Sequence, residues 1–283
     1  MSQGTPAFPE PPEGFCWVER GGIFSLEWTP LREISFIDHA FCSRRRGASR
    51  GAFAGLNYST REGDTEEAVR KNRETLSAAF GVPEERFVTL RQVHGNRIIH
   101  LEKDGPGSPL LEGDGIVTAR EDLAIGIKTA DCVPIFLVDP GSPAVGVVHA
   151  GWRGTAMGIV EEAVEAMKKA FSTDPAELVA VIGPAIGPCC YEVDEQVYRP
   201  LTTRMGRDDF FRRRGREKWM LDLVKANNIQ LVNAGVRARH VHAANLCTSC
   251  HRDVFFSHRG DKGMTGRQIN FILIRSEGGS VSS

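Results

Sequence analysis

Two histidines and a cysteine in this chain are residue types that bind transition metals, and each lies where an apolar segment ends. His94 lies in R-Q-V-H-G, Cys132 in T-A-D-C-V-P-I and His149 in V-V-H-A-G-W-R-G. Three such ligands at one sheet edge would form a Zn²⁺ site whose fourth position stays open. An open site supplies hydroxide near neutral pH, or a Lewis acid for a leaving group. In the alternative, Cys132 is only a small buried apolar residue.

A predicted strand end and a glycine-rich turn are expected to position His149. The two glycines of the turn let the backbone approach a ligand, and a predicted helix over residues 155–171 follows. Arg153 adds positive charge near the start of this helix, where free N–H groups attract anions. Alternatively, Arg153 pairs with Asp131 or Asp114 and holds the strand ends in place.

The remaining apolar pattern predicts both strands and helices. We expect a strand meander over residues 15–41, a helix over 64–80 and a helical segment over 219–234. Residues 87–100 read as a hairpin with its turn at Gly95 and Asn96, which would put His94 on the shoulder of the hairpin. Two near-continuous apolar strands are joined through residues 129–132.

Domain organisation follows from composition along the chain. Residues 1–14 are rich in proline, glycine and glutamate and are expected to form a mobile N-terminal arm. Because no repeat, linker or low-complexity segment interrupts the rest, we expect residues 15–283 to form a single α+β catalytic domain.

Composition limits the classes of partner. The net charge of -1 over 283 residues gives no global attraction to nucleic acid or to an anionic membrane. The N-terminus does not have the pattern of a secretory signal, and no apolar run reaches the length of a membrane span. We therefore expect a cytoplasmic protein, a monomer or homodimer, whose seven cysteines are reduced or bind metal.

Several motifs together resemble the YfiH-type family, whose members are known as laccase-domain or polyphenol oxidase proteins, purine nucleoside phosphorylases and peptidoglycan editing factors. The resemblance rests on R-Q-V-H-G, T-A-D-C-V-P-I, V-H-A-G-W-R-G-T, I-G-P-A-I-G-P-C-C-Y-E-V and F-F-S-H-R-G-D-K-G-M-T-G-R-Q, between about His39 and Ile272. The first third departs from the family pattern, with H-A-F-C-S-R-R-R-G-A-S and L-N-Y-S-T in place of the commoner motifs.

The resemblance implies a layered α/β sandwich with mixed β-sheets, similar to YfiH-like cysteine hydrolases and toxin deamidases. It implies that His94, Cys132 and His149 bind zinc and form the catalytic centre of a cytoplasmic enzyme. The implied substrates are phosphate and purine nucleosides: adenosine, inosine, guanosine and methylthioadenosine undergo phosphorolysis, and adenosine is also deaminated. The residues we assign to substrate binding are Arg44, Asn57, Gln92, Asp131 and Arg153, with the arginines facing phosphate.

Two other enzyme classes remain open. In a cysteine hydrolase that edits peptidoglycan precursors, Cys132 would be the nucleophile and His149 or His94 the base. In a laccase-like polyphenol oxidase, Cu²⁺ would occupy the same three residues, because its intrinsic affinity exceeds that of Zn²⁺. A multicopper cluster is disfavoured, because the eight histidines include one H-x-H pair, at His240 and His242.

A second metal site is suggested by C-T-S-C-H. Cys247, Cys250, His251 and His258 are the candidate ligands, but a lone C-x-x-C is a weak signal. The adjacent pair Cys189-Cys190 reads as a poor partner, because neighbouring residues seldom bind one metal together. The resemblance instead places the C-T-S-C-H segment at the rim of the active site.

Overall fold

The computed structural model describes residues 8–102 and 111–276. The strands in these ranges are β1 (Phe15–Arg20), β2 (Ile23–Trp28), β3 (Ile37–Cys42), β4 (Phe87–Thr89), β5 (Ile98–His100), β6 (Gly115–Thr118), β7 (Ala124–Thr129), β8 (Val133–Asp139), β9 (Ala144–Ala150), β10 (Val179–Ile182), β11 (Glu192–Asp194), β12 (Phe211–Gly215), β13 (Lys218–Leu221), β14 (Val241–Ala243) and β15 (Gln268–Ile274). The α-helices are α1 (Thr29–Arg32), α2 (Glu66–Phe80), α3 (Trp152–Ala156), α4 (Ile159–Phe171), α5 (Glu195–Met205) and α6 (Leu223–Asn233). None of these helices is both long and apolar enough to cross a bilayer.

Two six-stranded sheets form the centre of the fold. The first sheet has the order β1-β2-β3-β15-β7-β4, and the second has the order β14-β10-β8-β9-β6-β5. Both are mixed, because β4 is parallel to β7 in the first sheet, and β5 is parallel to β6 and β10 to β14 in the second. A small antiparallel sheet, β11-β13-β12, lies outside them. The expected α+β sandwich with mixed sheets is confirmed.

The sheets pack face to face, with α4 and α6 on the outer face of the second sheet and α2 on the outer face of the first. Phe41 of β3 and Phe136 of β8 stack between the sheets, with ring centroids 4.3 Å apart. Ile135 and Leu137, which flank Phe136, point the other way into the core shared with α4 and α6. A strand buried on both faces must be apolar at every position, and this explains the continuous apolar run of β8. On the first sheet, α2 covers the outer face.

Local signals predicted helix α2 correctly, but not the helix after His149. In α2 the hydroxyl of Thr65 accepts a hydrogen bond from the Ala68 N–H, and Gly81 ends the helix at φ 61°. The helix predicted over residues 155–171 is instead two helices, α3 and α4. Gly158 separates them at φ 79°, a left-handed conformation that interrupts a right-handed helix.

The predicted hairpin over residues 87–100 is wrong. β4 pairs with β7 in the first sheet and β5 pairs with β6 in the second, so the connection through His94 passes from one sheet to the other. The predicted helical segment over 219–234 is wrong at its start, where β13 pairs with β11 and β12. Helix α6 begins only after Asp222, whose carboxylate accepts from the Lys225 N–H. In both cases long-range pairing outweighs the local pattern.

Part of the predicted N-terminal arm lies in the described range. The ring of Phe8 lies 4.4 Å from that of Trp17 and 5.0 Å from that of Phe24. The indole N–H of Trp17 also donates to the Pro9 carbonyl. Residues 1–7 of the predicted arm and residues 277–283 of the predicted domain lie outside the described residues.

The packing between the sheets predicts the effect of a truncation. Phe136→Ala should lower the free energy of unfolding by about 3–5 kcal/mol, because it leaves a cavity under Phe41. Met264→Ala, at a side chain that is 59% exposed, should change it by less than about 0.5 kcal/mol. Urea unfolding followed by circular dichroism measures both. Equal midpoints for the two variants would contradict this account of the core.

Candidate functional site

The structure brings His94, Cys132 and His149 together. One nitrogen of each imidazole and the Cys132 sulfur all lie within 4.8 Å of one another. The two imidazole rings are nearly perpendicular, with centroids 4.9 Å apart. His94 lies between β4 and β5, Cys132 immediately before β8, and His149 near the end of β9. The convergence that sequence separation alone could not establish is therefore present.

Cys132 lies where the chain crosses from the first sheet to the second. Strand β7 belongs to the first sheet and β8 to the second, and only three residues join them. Asp131 adopts φ 90° at this crossing, a conformation that costs a residue with a side chain about 1–3 kcal/mol. Its carboxylate accepts from the Thr248 hydroxyl at 2.7 Å and from the Arg259 backbone N–H at 2.6 Å. These bonds hold Asp131 in place and so fix the position of Cys132.

Asp114, just before β6, orients both histidines. Its Oδ1 lies 2.8 Å from Nδ1 of His149 and accepts from the His94 backbone N–H at 2.9 Å. Its Oδ2 accepts from the N–H groups of Gly95 at 2.8 Å and Val93 at 3.2 Å. Burial alone would raise the pKa of Asp114, but these hydrogen bonds outweigh burial and lower it. An ionised carboxylate only accepts, so Nδ1 of His149 donates and Nε2 is left for the cluster.

The three side chains form a donor set that suits a metal. Two imidazoles and a thiolate leave the fourth position of a tetrahedral ion open, and a carboxylate behind one histidine is the usual support of such a site. Burial tends to raise the pKa of the Cys132 thiol, but the imidazoles of His149 and His94 outweigh it and lower the pKa to about 6. For His149, burial is likewise outweighed by Cys132 and Asp114, which raise its pKa to about 9. The thiolate that a metal requires is therefore present at neutral pH.

The turn after His149 passes close to the cluster. A Cβ placed on Gly151 would lie 3.1 Å from the Cys132 sulfur and 3.3 Å from Cδ2 of His94, so a side chain would crowd both ligands. The guanidinium of Arg153 lies 4.7 Å from the centroid of the Trp152 ring. Asp114 and Asp131, its two suggested partners, are bonded to His149 and to Thr248 instead. Across the described ranges, Arg153 has no carboxylate partner.

The other predicted substrate residues are bonded to the protein. The Gln92 amide bonds the backbone N–H and carbonyl of Lys128, which ties the loop before His94 to β7. The guanidinium of Arg44 donates to the carbonyls of Ala54 and Arg252 and lies over the Phe256 ring. The side chain of Asn57 accepts from the Ser59 and Arg267 N–H groups and donates to Asp64. The side chains of Gln92, Arg44 and Asn57 therefore support loops of the protein. That these three residues also bind substrate stays a prediction.

A cavity of about 430 Å³ lies near the cluster, and residues other than His94, Cys132 and His149 line it. Three of the residues that line it are linked to the cluster. Trp152 follows Gly151, and the Arg259 backbone N–H donates to the Asp131 carboxylate. Burial and the nearby Cys132 raise the pKa of Tyr191. The rest of the lining comes from Glu192, Val193, Asp194, Gln196, Val197 and Lys218. The volume and the two aromatic walls suit a small planar ligand.

Sequence reasoning missed the role of Asp114, which it considered only as a partner of Arg153. The signal that could have found it was an aspartate between two glycines directly before an apolar strand, in G-D-G-I-V. It also missed Tyr191, whose position in a loop with no regular pattern gave no signal.

The fold and the site are those of a layered α+β sandwich with a candidate metal centre of two histidines and a cysteine. Comparison with known proteins shows the family. A family model described as multi-copper polyphenol oxidoreductase laccase matches residues 38–275, and the chain belongs to this family. A Geobacillus stearothermophilus protein named purine nucleoside phosphorylase YlmD is 38% identical over 244 residues, 83% of this chain and 89% of that protein. A Deinococcus radiodurans protein named purine nucleoside phosphorylase is 38% identical over 243 residues, 86% of this chain and 91% of that protein.

Solved structures agree with the sequence comparison. The crystal structure of YlmD from Geobacillus stearothermophilus superposes with a TM-score of 0.87 at 36% identity, covering 94% of this chain and 100% of that one. The Bacillus licheniformis hypothetical protein YfiH superposes with a TM-score of 0.86 at 31% identity, covering 93% and 100%. The resemblance to the YfiH-type family is confirmed.

The hydrogen bonds of Asp114 predict its effect on metal binding. Asp114→Asn should weaken metal binding about 10–100-fold, because an amide no longer holds the Nδ1–H of His149 as a carboxylate does. Asp139→Asn is the matched control, since Asp139 is also buried but caps a turn at the far end of β8. Competition with a chromophoric chelator measures both affinities. Unchanged affinity in Asp114→Asn would refute this role.

The Cys132 pKa predicts the pH dependence of thiol reactivity. Because the folded pKa lies near 6, below the ordinary value of 9.0, the metal-free protein keeps the thiolate above pH 6 and loses it as the pH falls through 6. Alkylation of Cys132, read by peptide mass, should therefore show a midpoint near pH 6. In His149→Ala the midpoint should move upward, because the neighbouring positive charge is removed. A wild-type midpoint above pH 8 would show that the pair does not form.

Proposed function

We propose that this protein is a metal-dependent purine nucleoside phosphorylase, acting on adenosine, inosine, guanosine and methylthioadenosine. The observation that carries the proposal is the cluster of His94, Cys132 and His149, which Asp114 orients. A cavity lined by Trp152 and Tyr191 lies nearby. The names of the relatives support the same reaction.

The reaction exchanges one bond at the sugar carbon for another. An oxygen of hydrogen phosphate bonds to C1′ while the C1′–N9 bond breaks. The electron pair goes to the purine, and the proton of the phosphate is taken up by the released base. The protein must therefore hold two anionic or electron-rich groups on opposite sides of C1′ and stabilise the charge that moves between them.

The residues around the cavity fit these tasks. Trp152 and Tyr191 offer faces for a purine ring, and Arg153 offers a guanidinium that has no carboxylate partner in the described parts of the chain. A metal bound by His94, Cys132 and His149 would supply a Lewis acid or an activated water. We propose zinc as this metal, with copper able to occupy the same ligands.

A cysteine hydrolase is the second candidate, and a specific geometry favours it. Cys132, His149 and Asp114 are arranged like the nucleophile, the base and the orienting carboxylate of a catalytic triad. The pKa of the Cys132 thiol is also lowered, which favours the nucleophilic thiolate. In such an enzyme the Cys132 thiolate would attack the carbonyl of an amide, and the amine would leave with a proton from His149. Water would then lose a proton to His149 and cleave the resulting thioester, which releases the carboxylic acid and the Cys132 thiolate. Peptidoglycan precursors are the proposed substrates of this second activity.

Incubation with inosine and phosphate separates the candidates. We expect ribose-1-phosphate to form only when phosphate is present, and Cys132→Ala and His149→Ala to lose both bound metal and this activity. His100→Ala, a partly exposed histidine outside the cluster, should retain both. Arg153→Lys should raise the KM for phosphate without changing the metal content, because lysine cannot make a bidentate contact.

Two different results would overturn the proposal. Equal rates with and without phosphate would indicate hydrolysis or deamination. Absence of stoichiometric metal, together with selective inactivation by iodoacetamide at Cys132, would rule out the metal-dependent enzyme and favour the cysteine hydrolase.

A further inference from the structure

Four cysteines from two loops form a second cluster. The sulfurs of Cys189, Cys190, Cys247 and Cys250 all lie within 4.8 Å of one another. The Cys250 sulfur is 3.5 Å from that of Cys189 and 3.5 Å from that of Cys190. The fold therefore brings the adjacent pair, which the sequence suggested as a poor partner, next to the cysteines of C-T-S-C. His251 and His258 are not part of the cluster.

The spacing of the sulfurs suits a tetrahedral metal. A Zn–S distance of about 2.3 Å places the four sulfurs of a tetrahedral site about 3.8 Å apart. The two separations from the Cys250 sulfur, 3.5 Å each, are close to this value, and all four sulfurs lie within 4.8 Å of one another. Gly187 also donates its backbone N–H to the Cys247 sulfur at 3.2 Å, the kind of support that thiolate ligands receive.

The backbone that carries the cysteines is held by other bonds. Ala185 and Cys247 form a bridge between the two loops, with the Thr248 N–H donating to the Ala185 carbonyl at 3.0 Å. Tight turns follow on both sides, where the Cys190 N–H bonds the Gly187 carbonyl and the Cys250 N–H bonds the Cys247 carbonyl. Backbone bonds thus hold the two loops that carry the four cysteines, and ligands held in this way lower the entropy cost of binding a metal.

We propose that Cys189, Cys190, Cys247 and Cys250 bind a thiophilic divalent cation of the zinc class, at a structural site separate from the His94, Cys132 and His149 centre. A closed set of four thiolates leaves no position for substrate, so this site stabilises structure. The proposal does not depend on the phosphorylase activity.

Neither four free thiols nor a disulfide fits the cluster as well as a metal does. Free cysteines are usually buried among apolar side chains, yet Cys189 and Cys250 are exposed. One disulfide would use Cys250 and either member of the adjacent pair, and it would leave two thiols beside it without a function. Equal distances from Cys250 to both sulfurs match a shared ion better than one bonded pair.

The site would support the catalytic loop next to it. Thr248 lies between two of the proposed ligands, and its hydroxyl donates to the Asp131 carboxylate. The Arg259 backbone N–H donates to the other oxygen of the same carboxylate. Asp131 precedes Cys132, and Tyr191, which lines the cavity, follows Cys190. A metal that joins the two loops therefore also fixes one wall of the candidate active site.

Metal stoichiometry of the full-length protein tests the proposal. Protein purified with zinc under reducing conditions should contain two equivalents, and Cys250→Ser and Cys132→Ala should each lose one. Cys16→Ser is the matched control and should keep both, because Cys16 lies on β1 in neither cluster. With Co²⁺, the wild type and Cys132→Ala should show the strong charge-transfer absorbance of several thiolate ligands, and Cys250→Ser should lose most of it.

The wild type provides a second measurement if Cys250→Ser does not fold. The four cysteines should resist alkylation until a chelator is added, and peptide mass mapping should show them reduced. A single equivalent of metal that is lost with Cys132→Ala would overturn the proposal. Alkylation of the four cysteines without chelator, or a disulfide at Cys250 in the reduced preparation, would do the same. These results leave the phosphorylase test unaffected, so the two proposals can fail separately.

Discussion

The geometry of the site depends on one buried carboxylate, that of Asp114. A buried charge is costly unless it is fully hydrogen-bonded, and Asp114 receives the imidazole of His149 together with the N–H groups of Val93, His94 and Gly95. These donors come from two distant parts of the chain. The hydrogen bonds to this one carboxylate therefore position the imidazole ring of His149 and the backbone of His94.

The ligands lie where the chain passes between the two sheets. His94 is on the crossing from β4 to β5, and Cys132 is on the crossing from β7 to β8. Such crossings cannot join either ladder, so their backbone is free to adopt unusual conformations, including φ 59° at His94 and φ 90° at Asp131. Side chains that leave the sheets here meet at one place, beside His149 at the end of β9.

The local sequence was sufficient to predict those elements whose start, stop and buried face are all encoded within one short segment. The apolar face of α2, the acidic residues of its first turn and the stop at Gly81 all belong to one short segment, and they predicted this helix correctly. Residue chemistry and the family motifs also pointed to the three candidate metal ligands that the fold brings together. The predicted hairpin over residues 87–100 was wrong, because β4 pairs with β7 and β5 pairs with β6, strands that lie further along the chain.

Only the tertiary structure decided which side chains share a site. The sequence contains Asp114 and all four clustered cysteines, but spacing carries no information on contacts between segments that are 35 or 61 residues apart. Those contacts arise because burying both faces of two sheets fixes the sheet order, and the sheet order then fixes where each connecting loop lies. The types of ligand are thus encoded locally, whereas their convergence is a property of the whole fold.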